Sequence, residues 1–390
     1  MNKQVNRRNF LKISAAAGAA LGMAPVGIYA KEKQTDSGLP QRTLGSRTGI
    51  KLPVLSLGCS QIDNPNILRA AHNSGISFFD TANGYLNGRS EETLGEFFAD
   101  KPRDSFVIGT KIRQAPADNA AAQFAENFEG SMRRLKLSYV DIFYYWDMRT
   151  AEDVNYAPVM EVMQRLKREG RIKNIGLATH SNEAVVINAA VDNGNYDVIL
   201  VSYNYNRQDD AALNSAIARA AEAGLGMIAM KVMAGGFLDR ERTQRVNTRA
   251  ALKWVLQNNN IHTTVPGLTT FEMMEESLDA VKNLTLTPEE RNFLSAANNS
   301  DTMYCKGCGY CNEQCIKGLP VAPMMRAYMY NYGYKSPALA KEVIDELGLA
   351  DIDPCKDCSV CQINCASGFR ISQKIKDIAR LRDVPQEFLV

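Results

Sequence analysis

The sequence predicts an α/β protein: a (β/α)8 TIM barrel followed by a smaller, α-helical C-terminal domain. Three observations predict it. Strand-length apolar runs alternate eight times with segments of 3.6-residue periodicity between residues 41 and 300, which matches the count and span of a (β/α)8 barrel. Of nine cysteines, eight crowd into residues 305–365 and only Cys59 lies elsewhere, so residues 301–390 read as a unit with its own chemistry. A chain of 390 residues, 45% hydrophobic and 23% charged, can bury a large core; this excludes a mostly disordered chain or a multi-span membrane protein.

The first thirty residues read as an address. Residues 6–12, N-R-R-N-F-L-K, precede an Ala/Gly-rich stretch over 13–30 with no acidic residue, and the whole is too weakly apolar for a membrane anchor. The Arg7–Arg8 pair resembles a twin-arginine signal, which implies export, a translocon as partner, a periplasmic location and cleavage near Ala30. This leader holds four basic residues and no acidic one, so without it the net charge passes from +2 to −2. Nothing in that balance points to nucleic acid.

The expected strands cover 53–58, 77–80, 105–111, 139–146, 172–177, 196–203, 226–230 and 262–266. The expected helices cover 67–73, 91–98, 121–135, 159–168, 182–191, 211–223, 248–257 and 270–281. A doubly wound sheet is the rival, but no G-x-G-x-x-G follows the first strand. On a barrel, residues just past each strand's C-terminal end line the site.

There the sequence reads F-F-D-T-A-N-G-Y (78–85) and L-N-G-R-S-E-E-T-L-G (86–95) after strand two, G-T-K (109–111) in strand three, and I-A-M-K-V-M-A-G-G (228–236) at strand seven. With the opening R-T-L-G-S-R-T-G-I-K-L, similar to a hairpin that plugs a barrel floor, and the L-K-W-V-L-Q helix, the chain resembles an aldo-keto reductase over about two thirds of its length. The resemblance implies a carbonyl or alcohol substrate and an Asp-Tyr-Lys-His tetrad whose first three members fall on Asp80, Tyr85 and Lys111. A tyrosine is a poor acid at neutral pH, and an adjacent ammonium held by a carboxylate would lower its pKa. Tyr85 would exchange the proton, Lys111 tune it and Asp80 position Lys111. At the family's histidine this chain has Trp146, which donates one hydrogen bond and does not titrate; His180, on the next strand, is the candidate to compensate.

The resemblance also implies a nicotinamide cofactor, NAD(P), but the footprint departs from the pattern. Ala178, Thr179 and Leu200 stand where Ser, Asn and Gln would hold the carboxamide, and the loop over 266–273 lacks Lys and Arg for a 2′-phosphate. Cys59, Thr179, Gly267 and Glu276 are the remaining candidate cofactor contacts. NAD(P) therefore stays open at this stage.

Cys305-x2-Cys308-x2-Cys311-x3-Cys315 is repeated as Cys355-x2-Cys358-x2-Cys361-x3-Cys365, the bacterial ferredoxin spacing for [4Fe–4S] clusters. In two-cluster proteins of this spacing the fourth cysteine serves the other cluster. One set would then be Cys305, Cys308, Cys311 and Cys365, and the other Cys355, Cys358, Cys361 and Cys315. Zinc and disulfides are the alternatives. The residues between the two runs are helical in period, so the expected domains are a leader (1–30), a barrel (41–300) and a helical ferredoxin-like domain with two [4Fe–4S] clusters (301–390). Together these readings predict an exported iron–sulfur oxidoreductase that acts on a small carbonyl or alcohol and exchanges electrons with a redox partner protein. The alternative is an electron-transfer protein that uses no nicotinamide, with the barrel as a repurposed scaffold or docking module.

Overall fold

A short hairpin lies beneath the barrel. It comprises β1 (Gln41–Thr43) and β2 (Lys51–Pro53), antiparallel, in a computed structural model that describes residues 38–239, 241–299, 304–348, 355, 358 and 361–389. Leu44 and Leu52 from this hairpin are fully buried among the side chains that fill the barrel interior. Gly45 makes the close approach feasible: its φ is +62°, and a Cβ there would stand 2.5 Å from the Gly224 carbonyl oxygen. The expected floor plug is therefore present. The leader, residues 1–30, lies outside the described residues.

Eight parallel strands follow in chain order around the barrel: β3 (Leu57–Gly58), β4 (Phe78–Asp80), β5 (Val107–Arg113), β6 (Val140–Met148), β7 (Ile172–Thr179), β8 (Val198–Ser202), β9 (Gly226–Met230) and β10 (Thr263–Thr264). All eight expected strands are found. The first and last are short because the seam closes through a single bridge, Leu55 to Thr264, with the Ser56 amide donating to the Thr264 carbonyl at 2.8 Å. A period of two sends Ile142, Tyr144 and Trp146 of β6 into the interior and Phe143 and Tyr145 outward. Tyr144 fits because its neighbours across the ladder are glycines: a Cβ on Gly176 would lie 2.4 Å from its ring and one on Gly109 3.0 Å.

The outward side chains meet the helical layer. In the Ala120–Leu135 helix, Phe124, Phe128, Met132 and Leu135 share one buried face, and Phe124 packs on Phe143 with ring centroids 5.2 Å apart. The Thr248–Gln257 and Phe271–Lys282 helices start on Asn247 and Thr270 caps. Two further helices were not anticipated: Ala151–Val154, opened by a Thr150–Asp153 capping box, and Pro288–Asn299, held by Lys253 donating to both Glu290 oxygens at 2.9 Å.

From residue 304 onward the described residues form helices and no strand: Val321–Tyr332, Pro337–Glu346 and Ile371–Ile378 with short 3-10 turns. They have their own core, built from Met324, Tyr328, Val343, Ile344, Ile371 and Ile375. The tail nevertheless packs on the barrel mouth. Arg242 donates to the Gly333 carbonyl at 3.0 Å, Gln61 donates to the Tyr334 carbonyl at 3.3 Å, and Arg113 pairs with Glu346. Among the described residues no helix is long and apolar enough to cross a membrane.

Candidate active site

β4 ends on Asp80, and β5 carries Lys111 on its inner face one layer above Gly109, the ladder partner of Asp80. Lys111 is wholly buried, and its Nζ donates to Asp80 Oδ2 at 2.6 Å and to the Thr81 carbonyl at 2.7 Å. Burial raises the Asp80 pKa and lowers that of Lys111, each opposed by the attraction of the other; the short contact is that of an ion pair. Tyr85 opens the 3-10 turn Tyr85–Gly88 and is 8% exposed. Its ring lies 4.8 Å from Lys111 Nζ and meets Trp146 edge-on, with centroids 5.6 Å apart. The structure thus brings Asp80, Tyr85, Lys111 and Trp146 together.

Lys111 directs two hydrogen bonds away from the phenol, to Asp80 and to the Thr81 carbonyl. Burial, and then the Asp80 charge, hold the phenol well above its ordinary value.

Trp146 is 2% exposed, lies under the Arg113 guanidinium at 3.8 Å, and its Nε1 has no hydrogen-bond partner among the described residues. His180 follows β7, with its ring centroid 6.3 Å from that of Trp146. Its Nδ1 is 2.9 Å from Asp147 Oδ1. A carboxylate only accepts, so this network assigns the proton to Nδ1 and leaves Nε2 as an acceptor. Burial pulls the His180 pKa down to about 3 against the attraction of Asp147, so the ring is neutral at pH 7. In that tautomer the His180 Nε2 is an acceptor, and the Trp146 N–H is a donor without a partner among the described residues.

Asp147 was missed by the sequence reading. Burial would raise its pKa, but Arg326, His180 and Arg149 hold it well below the carboxylate range. Arg326 of the tail donates to Asp147 Oδ2 at 2.8 Å. The available signal was that Arg326 is the lone charged residue in the buried stretch 321–330.

The nicotinamide candidates offer few free polar groups. Thr179 Oγ1 donates to the Met148 carbonyl at 2.8 Å and also contacts the Ser181 carbonyl at 3.0 Å, while Ala178 and Leu200 are sealed in the barrel interior. Cys59 is fully buried, its thiol directed at the Leu57 carbonyl and its pKa raised by burial. Gly267 and Glu276 are exposed, on the loop after β10 and the helix beyond it. These residues do not fit a nicotinamide ring held by polar side chains in the family's manner.

The tail thiols group crosswise. Burial pushes the Cys305 thiol up to about 12, and Cys311, Cys308 and Cys365 stand close enough to add to that rise. Cys355 is raised by burial and then by Cys358, Cys361 and Cys315. The Gly307 and Ser367 amides donate to the sulfurs of Cys305 and Cys365 at 3.3 and 3.4 Å, and the Asn364 amide ties the two runs by donating to Gln314 at 2.7 Å. Among the described residues no trio of His, Cys, Asp or Glu side chains closes on a single ion.

The Cys305 loop is fastened to the barrel. Arg207 donates to the Lys306 carbonyl at 2.5 Å while paired with Glu183 and Asp210. At Gly307, with φ +77°, a Cβ would stand 3.0 Å from the His180 carbonyl oxygen.

Residues 60–250 match the family model of the Aldo/keto reductase family. Over those residues the barrel carries an aldo/keto reductase family domain. The chain is 26% identical to D-threo-aldose 1-dehydrogenase of a Pseudomonas species over 50% of its own length and 70% of the relative's. It is likewise 26% identical to L-galactose dehydrogenase of Arabidopsis thaliana over 62% and 88% of the two lengths. The fold is that of the aldo-keto reductase AKR11C1 from Bacillus halodurans, at a TM-score of 0.54, 21% identity and coverage of 66% and 96%. A chain carrying an aldo/keto reductase domain with such dehydrogenase relatives is an oxidoreductase. Aldo/keto reductases typically depend on NAD(P), in keeping with NAD(P) having been left open from the sequence. Residues 4–24 match the TAT (twin-arginine translocation) pathway signal sequence, so this oxidoreductase is exported by that route to the periplasm.

Proposed function

We propose that the protein is a periplasmic iron–sulfur oxidoreductase that interconverts a small carbonyl compound and its alcohol. In this reading, Tyr85 exchanges the proton at oxygen and two [4Fe–4S] clusters link the barrel to a redox partner protein. The observation that carries the reading is the fastening of the Cys305 loop to the mouth of the same barrel that holds the Asp80–Tyr85–Lys111 set. Cys305, Cys308, Cys311 and Cys365 would hold one cluster and Cys355, Cys358, Cys361 and Cys315 the other; bound there, such clusters exchange electrons singly. The two dehydrogenase relatives name aldose sugars, which supports a hydroxylated carbonyl as the substrate class.

The chain's own residues set up the proton exchange. Tyr85, kept protonated by burial and by the Asp80 charge, is a reservoir for the proton that a developing alkoxide takes, because an alkoxide is far more basic than a phenolate. The Trp146 N–H is the free donor beside it, suited to hold the substrate oxygen. Lys111 and Asp80 fix the floor of the site. No step is assigned to a nicotinamide, since the residues at its footprint do not fit one.

A second reading, with the barrel as a non-catalytic scaffold, is favoured by the engagement of Lys111 away from the tyrosine. The Tyr85→Phe variant separates the two. With reduced methyl viologen as donor and a panel of small aldehydes and ketoses, turnover falls by roughly a hundredfold or more at unchanged iron content if Tyr85 moves the proton. Unchanged turnover would favour the scaffold.

A further inference from the structure

The ends of β7, β8 and β9 and the tail line a cleft that the proposed function leaves unused. His180, Ser202 and Asn204 line it from the barrel, Lys231 from the position after β9, and Lys306 and Arg326 from the tail, with Cys305 in the same wall. Its lining includes no aspartate or glutamate. Arg326 is 6% exposed, and only its Nη2 is bonded, to Asp147; Nε and Nη1 have no hydrogen-bond partner among the described residues. A buried guanidinium with open donors is costly unless a ligand fills them. Lys231, half-buried, is a second cation in the lining. It lies 4.3 Å over the Tyr330 ring and 5.2 Å from that of Tyr334, with no carboxylate in ion-pair contact among the described residues. Its backbone is left-handed, with φ +59°, a conformation that a lysine adopts only when its surroundings impose it. The Lys231 charge also reaches Asp80, Lys111 and His180, which locates it between the cleft and the Tyr85 set.

We propose that this cleft binds the carboxylate of a small hydroxy- or oxo-acid, with Arg326 and Lys231 as its charged donors and Ser202 and Asn204 facing the neutral oxygens. A guanidinium with two open donors beside a lysine in no ion pair among the described residues suits a negative ligand, and neutral amide and hydroxyl groups beside them suit hydroxyl or keto oxygens. Identifying that acid with the substrate of the Tyr85 site rests on the proposed function; the binding site itself does not.

Calorimetric titration of the purified full chain tests it, with glycolate, pyruvate and D-gluconate as probes and D-galactose, sulfate and NADPH as comparisons. At least one acid is expected to bind, and Lys231→Gln is expected to weaken the acid by roughly tenfold or more at an unchanged melting temperature, with no such change for D-galactose. Arg326→Gln should do the same; because Arg326 also joins the tail to the barrel, Lys231→Gln carries the test should Arg326→Gln fail to fold. No heat with any acid, unchanged affinity in Lys231→Gln, or tighter competitive binding by sulfate or NADPH would overturn the proposal. The readout is independent of turnover: acid binding in a protein whose Tyr85→Phe variant is fully active keeps this site and sinks the catalytic reading, and the converse result does the reverse.

Discussion

Lys111 is buried with one carboxylate for company, and its removal isolates that charge. Lys111→Met leaves Asp80 unpaired inside the barrel and is expected to lower stability by about 3–5 kcal/mol, read from denaturant midpoints. The double variant with Asp80→Asn should regain a large part of the loss; no recovery would mean that packing, not charge, explains the single variant. His180 supplies a pH dependence. Its pKa is about 3 in the folded chain against an ordinary 6.5, so between those values the unfolded chain binds the extra proton and stability falls as pH falls. Asp147, held below its ordinary 3.8, adds a loss that begins only near that more acidic value. His180→Gln should therefore flatten the decline in urea midpoint between pH 6.5 and 4 relative to wild type, and equal slopes would contradict the assignment. Asp80, Tyr85 and Lys111 were legible because each sits at a strand end in a recognisable local motif. Asp147 and Arg326 were not, because their meaning arises only where two segments 179 residues apart meet.

Among elements, the floor hairpin and the strands were the most legible, since apolar runs of strand length bounded by turns have few other uses in a chain of this size. β3 and β10 came out shorter than read because seam closure is a tertiary event. The Pro288–Asn299 helix went unread because it depends on the Lys253–Glu290 pair rather than on a strong apolar stripe. The hairpin invites a direct test. Gly45→Ala forces a Cβ to within 2.5 Å of backbone at a positive φ and is expected to destabilise by about 1–3 kcal/mol in thermal melts, with catalysis at the opposite end of the barrel intact below the melting range. An unchanged melting temperature would show that the floor yields.

At the scale of the molecule, the tail packs on the barrel mouth, with the Cys305 loop fastened at the ends of β7 and β8. That eight cysteines crowd into the tail was legible in the sequence. How the tail seats was not, because no residue before the fold forms marks Lys306 as the partner of Arg207. The crosswise grouping predicts that Cys305→Ser and Cys365→Ser each lower bound iron by about half and that the double variant loses no more than either alone, since both act on one cluster. Additive loss would instead pair Cys365 with Cys355, Cys358 and Cys361. The most direct test of the account is metal and acid-labile sulfide analysis of the exported, anaerobically purified protein. About eight irons with matching sulfide per chain is the predicted result, and tightly bound zinc without iron would contradict it.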